Sequence, residues 1–126
     1  MMIRNILIVG IGGGIGSIAR YLCQKFFIET YPQTFPLGTF LVNIFGCFLI
    51  GLFYALSEKG NVLTPEWRLF LATGLCGGFT TFSAFAYENV ILLKTDHILI
   101  FGLYAAGSVA LGILATFCGM ALLKIF

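Results

Sequence analysis

Charge is what this sequence has least of. Of its 126 residues only 10% are Asp, Glu, Lys or Arg, and the formal net charge is +2. The basic residues do not cluster, which excludes a nucleic-acid surface, because such a surface needs a basic patch or stripe. Histidine occurs once, as His97, beside Asp96 in a short connection where it reads as a solvated cap. The cysteines Cys23, Cys47, Cys76 and Cys118 stand singly in apolar stretches. Without paired spacing they read as small packing residues rather than metal ligands. There is no phosphate-binding loop, no His–Glu metal motif, and no nucleophile with an adjacent base, so an enzyme is not expected. The apolar N-terminal run lacks the small-residue cleavage site of a secretory leader.

Apolar sequence is what is present instead. Hydrophobic residues make up 60% of the chain, and the mean hydropathy is +1.03. A soluble fold this small cannot bury that much apolar surface. The class expected is an all-α integral membrane protein, one domain over residues 1–126. A bilayer core of about 30 Å needs a helix of about 20 residues. Four segments are that long: about Ile3 to Phe27, about Leu37 to Leu56, Pro65 to about Lys94, and about His97 to Lys124. "ETYPQTFP" ends the first and "SEKGN" the second. The third opens on "TPEW", with Thr64 as N-cap, Pro65 at the first helical position and Glu66 in the first turn. Short connections make consecutive spans antiparallel neighbours.

Lys and Arg in short loops normally set orientation. Here Arg4, Lys59, Arg68 and Lys124 lie at one end, and Arg20, Lys25 and Lys94 at the other. So small a bias fits a chain that inserts both ways, and fits equally a chain with few charges to count.

The spans carry polar and small residues where lipid-facing leucines belong. "IGGGIGSIAR" spaces Gly10/Gly14 and Gly12/Gly16 for close helix approach. It also matches a dinucleotide fingerprint, but no βαβ unit or following acidic residue supports that reading. Arg20 can snorkel to the interface or draw anions to a vestibule. In the second span Thr39, Asn43 and Gly46 share a face. An intramembrane amide needs a partner, either a helix–helix hydrogen bond or a wet path for an anion. "GLCGGFTTFSAF" breaks the third span. Pro65 to Gly74 gives only about 15 Å of helix and Thr81 to Lys94 about 21 Å, so an unwound middle is expected at Gly74, Gly77 and Gly78. Thr80 and Thr81 can cap the returning helix. Unwound carbonyls must be buried in protein or water, and they suit a bare cation such as Na⁺; a glycine-packed kink is the alternative. Phe82 and Phe85 share a face and present electropositive ring edges, although phenylalanine is also ordinary packing. Glu88 follows one turn on. In the fourth span Tyr104, Ser108, Gly112 and Thr116 fall four apart, as a hydroxyl track or a small-residue contact face.

"GGGIGSIARY", "GTFLVNIFGCFLIG" and "GLCGGFTTFSAF" resemble the three motif blocks of the Fluc (CrcB-type) fluoride channels of bacteria. The resemblance runs over essentially the whole chain. It implies a fluoride-selective channel in the cell inner membrane, exporting fluoride passively and giving resistance to its toxicity. It implies an antiparallel, dual-topology homodimer with two pores along the interface and a third helix broken mid-membrane. A structural Na⁺ is implied at the centre, on the backbone carbonyls of Gly77 and Thr80 of both chains. The implied pore residues are Asn43, Phe82 and Phe85, with Thr39, Tyr104, Ser108 and Thr116 in the polar track. Arg20 and Glu88 are implied near the pore mouths. Gly112 departs from the serine this family leads one to expect, leaving one hydroxyl of the track missing. Two rival readings are a four-span proton-coupled exporter and a non-transporting subunit. The exporter wants a carboxylate deep in the first span, where none precedes Glu29, and the subunit needs no broken helix.

Overall fold

The computed structural model describes residues 1–60 and 62–125. Asn61 of the "SEKGN" connection and Phe126, the last residue of the expected domain, lie outside them. Among the described residues the regular structure is entirely helical. Helix α1 is Met2–Thr30 and α2 is Leu37–Glu58. The third run comprises α3 (Pro65–Arg68), a π-helical stretch (Leu69–Cys76), α4 (Gly77–Phe79) and α5 (Phe82–Lys94), and α6 is Ile98–Ile125. Among the described residues four runs are long and apolar enough to cross a membrane.

The ends follow local chemistry. Helix α1 continues past Phe27 to Thr30, because the first residue it must not include is Tyr31, held out of the α region by Pro32. Thr64 caps α3 as expected, its side chain accepting from the Trp67 N–H at 3.2 Å. Asp96, with φ of 62°, turns the chain back from α5 into α6.

Polar contacts at the two ends fix an up-and-down order. At one end Arg4 pairs with Glu66 at 3.1 Å, Arg68 donates to Ser57 and Lys59 donates to the Leu123 carbonyl. At the other, Gln24, Thr39, Glu88 and Tyr104 are joined by hydrogen bonds. In between, α2 packs mainly on α6, and α1 on the π-helical stretch and α4.

Glycine allows both packings. A Cβ on Gly12 would stand 2.7 Å from the Phe70 carbonyl oxygen, and one on Gly16 would overlap the Leu75 carbonyl. Gly51 lies against the Thr116 backbone and Gly119 against the Phe48 carbonyl. The two expected glycine pairs in α1 therefore separate: Gly12/Gly16 is the contact pair, whereas a Cβ on Gly10 or Gly14 would meet no other part of the chain within 4 Å. Only the former faces the third run.

That use of glycine also moves the chain interruption. Gly74, Gly77 and Gly78, where unwinding was expected, have helical conformation; Gly74 touches Gly12, and Gly78 lies against Gly13. The residues outside helix are Thr80 (φ −86°, ψ 157°) and Thr81 (φ −151°, ψ 121°). The glycines serve close backbone approach, and the extended pair falls where β-branched residues tolerate it.

Gly16→Ala should destabilise the protein by about 1–3 kcal/mol through overpacking. Gly14→Ala should leave stability unchanged or raise it slightly, since alanine is the better helix former. Thermal unfolding of the two variants in detergent micelles compares them directly; equal melting temperatures would remove Gly16 from the contact.

Candidate functional site

In an unbroken helix the Thr81 N–H would bond to the Gly77 carbonyl. Here it donates to Asn43 Oδ1 at 2.8 Å, while Asn43 Nδ2 donates to the Thr81 carbonyl at 3.0 Å. Asn43 thus reads the Thr81 backbone from both sides, as a sheet neighbour would. The Gly78 carbonyl, freed from the helical ladder, accepts from Arg20 Nε at 3.1 Å. Thr80 Oγ1 donates back to the Cys76 carbonyl at 2.9 Å. Thr81 Oγ1 accepts from the Ala84 N–H at 3.1 Å and caps α5. Of the two threonines expected to cap the returning helix, Thr81 does so and Thr80 closes the preceding turn.

These bonds answer a local requirement. Lipid offers no partner for freed peptide groups, so irregular backbone survives at membrane depth only where protein or water satisfies it. Arg20 from α1 and Asn43 from α2 supply that here. Arg20 is half-buried and turned inward, which departs from simple snorkelling.

One open groove of about 400 Å³ collects Asn43, Gly77, Thr80, Phe82, Phe85 and Ser108. The Phe82 and Phe85 rings are 5.6 Å apart and inclined at 46°. Phe82 is 79% exposed, so its ring stands out from the chain with little around it. The methyl of Thr80 packs on Gly46, leaving no room there for a side chain.

A second cluster lies behind the phenylalanines. Glu88 Oε2 accepts from Thr39 Oγ1 and Oε1 from the Tyr104 hydroxyl, both at 2.7 Å. Gln24 Nε2 donates to Thr39 Oγ1 at 2.9 Å. Thr39 and Tyr104 are buried. Gln24, Thr39 and Glu88 face a cavity of about 660 Å³ at the α1–α2 end of the bundle. The Phe85 ring, 5.0 Å from that of Tyr104, separates this cluster from the groove.

The fourth-span stripe is therefore divided. Tyr104 belongs to the Glu88 cluster and Ser108 to the groove. Thr116 spends its hydroxyl on the Gly112 carbonyl at 3.0 Å, where α6 crosses α2. Gln24 was not singled out from the sequence, although it falls one helical turn after Arg20 on the same face of α1. Thr81 was expected only as a cap; nothing in its spacing announces its pairing with Asn43.

Comparison with known proteins covers a range that includes all three sequence blocks. The family model described as "CrcB-like protein, Camphor Resistance (CrcB)" matches residues 7–120. The chain is similar to proteins named fluoride-specific ion channel FluC. The one from Gloeothece citriformis is 52% identical over 121 residues, 95% of this chain and 97% of the relative. The one from Flavobacterium psychrophilum is 48% identical over 121 residues, 96% and 98% of the two chains. The one from Leptospira interrogans is 43% identical over 123 residues, 98% and 97%.

Asn43→Ala leaves the Thr81 N–H and C=O without their side-chain partner. The expected cost is about 1–3 kcal/mol in stability, together with faster amide hydrogen exchange in residues 80–84. Exchange followed by mass spectrometry tests this, and unchanged protection would mean the amide does not hold the interruption.

Proposed function

The chain belongs to the CrcB-like protein family, and from that premise we propose that it is a fluoride-selective channel that lets fluoride leave the cell passively and so limits its toxicity. It is a multi-pass membrane protein, and the membrane proposed is the bacterial inner membrane. The working unit is a homodimer of two chains in opposite orientation, with two pores along their interface. The observation that carries the proposal is the single groove in which Asn43, Phe82, Phe85 and Ser108 meet the carbonyl-bearing residues Gly77 and Thr80. One chain leaves this groove open at its side, and a second, inverted copy is the proposed wall.

Fluoride is small and strongly hydrated. A selective path must replace its water by short-range donors, yet hold the ion weakly enough for release. Neutral donors meet both demands. Asn43 engages one amide hydrogen with Thr81 and has a second to offer. The Ser108 hydroxyl and the ring edges of Phe82 and Phe85 present further positive hydrogen without a formal charge. The Glu88 cluster holds the Tyr104 hydroxyl, and with it the ring that Phe85 leans on. Arg20 is committed to Gly78, so its charge lies beside the path and does not close on the ion.

Na⁺ is the proposed central ion, and the backbone fits it. The Gly77 carbonyl gives up its helical donor to Asn43, and the Ala84 N–H that would reach the Thr80 carbonyl goes to Thr81 Oγ1. Gly77 and Thr80 of both chains would hold the ion by these oxygens. When bound it supplies a fixed positive charge between the two pores and ties the interrupted helices together.

Purified protein in fluoride-loaded liposomes should release fluoride rapidly and electrogenically; obligatory exchange for protons, or no release, would overturn the channel reading. Phe82→Ala and Phe85→Ala should each slow release by roughly tenfold or more, equivalent to about 1.4 kcal/mol of barrier, while the dimer survives. Unchanged flux would remove the ring-edge role. Exchanging Na⁺ for a large organic cation should shift the dimer toward monomer on size-exclusion chromatography, and a cation-independent elution profile would count against the carbonyl site.

A further inference from the structure

We propose that Gln24 is a positioning residue for fluoride passage: its amide fixes where the Thr39 hydroxyl points and, through it, where the Glu88 carboxylate stands behind Phe85. This rests on the channel reading above. Gln24, Thr39, Glu88 and Tyr104 come one from each of the four spans, from α1, α2, α5 and α6. Three successive hydrogen bonds of 2.9, 2.7 and 2.7 Å join them. Close backbone approach brings the first two into reach, since a Cβ on Gly38 would stand 3.2 Å from Gln24 Cα. At the inner end the Tyr104 ring lies against those of Phe35 and Phe85, with centroids 5.4 and 5.0 Å away. Phe85 in turn lines the groove. At the outer end Gln24, half-buried, faces the cavity of about 660 Å³.

Donor counting gives the chain its direction. A carboxylate only accepts, an amide NH₂ only donates, and a hydroxyl has one hydrogen that rotates to suit its partners. Glu88 accepts on both oxygens, from Thr39 on one and from Tyr104 on the other. Thr39 therefore spends its hydrogen on Glu88 and has only lone pairs left to offer Gln24, whose Nε2 donates to them. Remove that amide and nothing settles the rotation of the Thr39 hydroxyl, which borders the open cavity. Glu88 then keeps one fixed bond, to Tyr104. Phe85 lies one turn before Glu88 on α5, so a loosened carboxylate swings its charge toward the groove and opposes an anion there. Gln24 touches neither the groove nor the phenylalanine rings; it acts through Thr39.

The test compares fluoride release from liposomes for the wild type, Gln24→Met, Thr39→Val and the double variant Gln24→Met/Thr39→Val, each first checked for wild-type elution. Methionine keeps the length of glutamine and donates nothing, so Gln24→Met should release fluoride severalfold more slowly. In the Thr39→Val background the same change should cost nothing further, because the hydroxyl through which Gln24 acts is already gone. Wild-type flux in Gln24→Met, or losses that multiply in the double variant, overturns the assignment. So does a Gln24→Met protein that no longer elutes as the wild type does, because that marks a packing role. Infrared spectra give a second reading that does not depend on flux. The carboxylate band that Glu88→Gln removes should shift in Gln24→Met toward its position in Thr39→Val, and an unshifted band overturns the assignment even where flux falls. This band also decides the matter if Thr39→Val conducts too slowly for the double variant to be compared. A wild type that moves no fluoride ends the channel reading and this inference with it. A conducting wild type matched by Gln24→Met ends this inference alone.

Discussion

A peptide group inside a bilayer has no water to turn to, and the arrangement around Thr80 and Thr81 follows from that constraint. Interrupting a helix at membrane depth frees carbonyls and N–H groups that lipid cannot satisfy. The chain answers with one side chain from each of two other spans. Asn43 takes both backbone groups of Thr81, and Arg20 takes the Gly78 carbonyl. The carbonyls of Gly77 and Thr80 lose their helical donors in the process. These are the oxygens proposed to hold a cation between two chains, so the same bonds that stabilise the interruption also define what it can bind.

Those side chains reach the interruption only because the helices come close. Gly12 and Gly16 let α1 touch the third run, which brings Arg20 opposite Gly78. Gly46 makes room on α2 for the Thr80 methyl and the Phe79 ring, which holds Asn43, one turn earlier, against Thr81. Backbone-to-backbone packing of this kind is the usual way spans associate where no hydrophobic effect separates lipid from protein. The polar site is therefore a consequence of small residues that carry no chemistry themselves.

Much of this was legible in the sequence. Apolar length and spacing specify the four spans, and Thr64, Pro65 and Glu66 fix the start of the third. Three short blocks carry the family resemblance, and the match over residues 7–120 agrees with it. Other features were not legible. The glycine cluster pointed to unwinding at Gly74 to Gly78, but glycine in a membrane serves close packing as readily as a bend, and sequence offers no way to tell which. The stripe from Tyr104 to Thr116 looked continuous because helical spacing is blind to what each residue meets across the interface. Gln24 stayed unnoticed because its importance lies in a neighbour distant in sequence, Thr39.

The sequence by itself determined that this chain lives in a membrane, that it crosses four times, and where polar residues interrupt its apolar spans. Those properties are sums over local composition and period, and local sequence contains them. Only the tertiary structure decided which glycines are contacts, that Thr80 and Thr81 leave the helix, and that Asn43 and Arg20 close around them. Each of these depends on which atoms of separate helices stand within hydrogen-bonding or van der Waals reach, a quantity that exists only once the helices have packed.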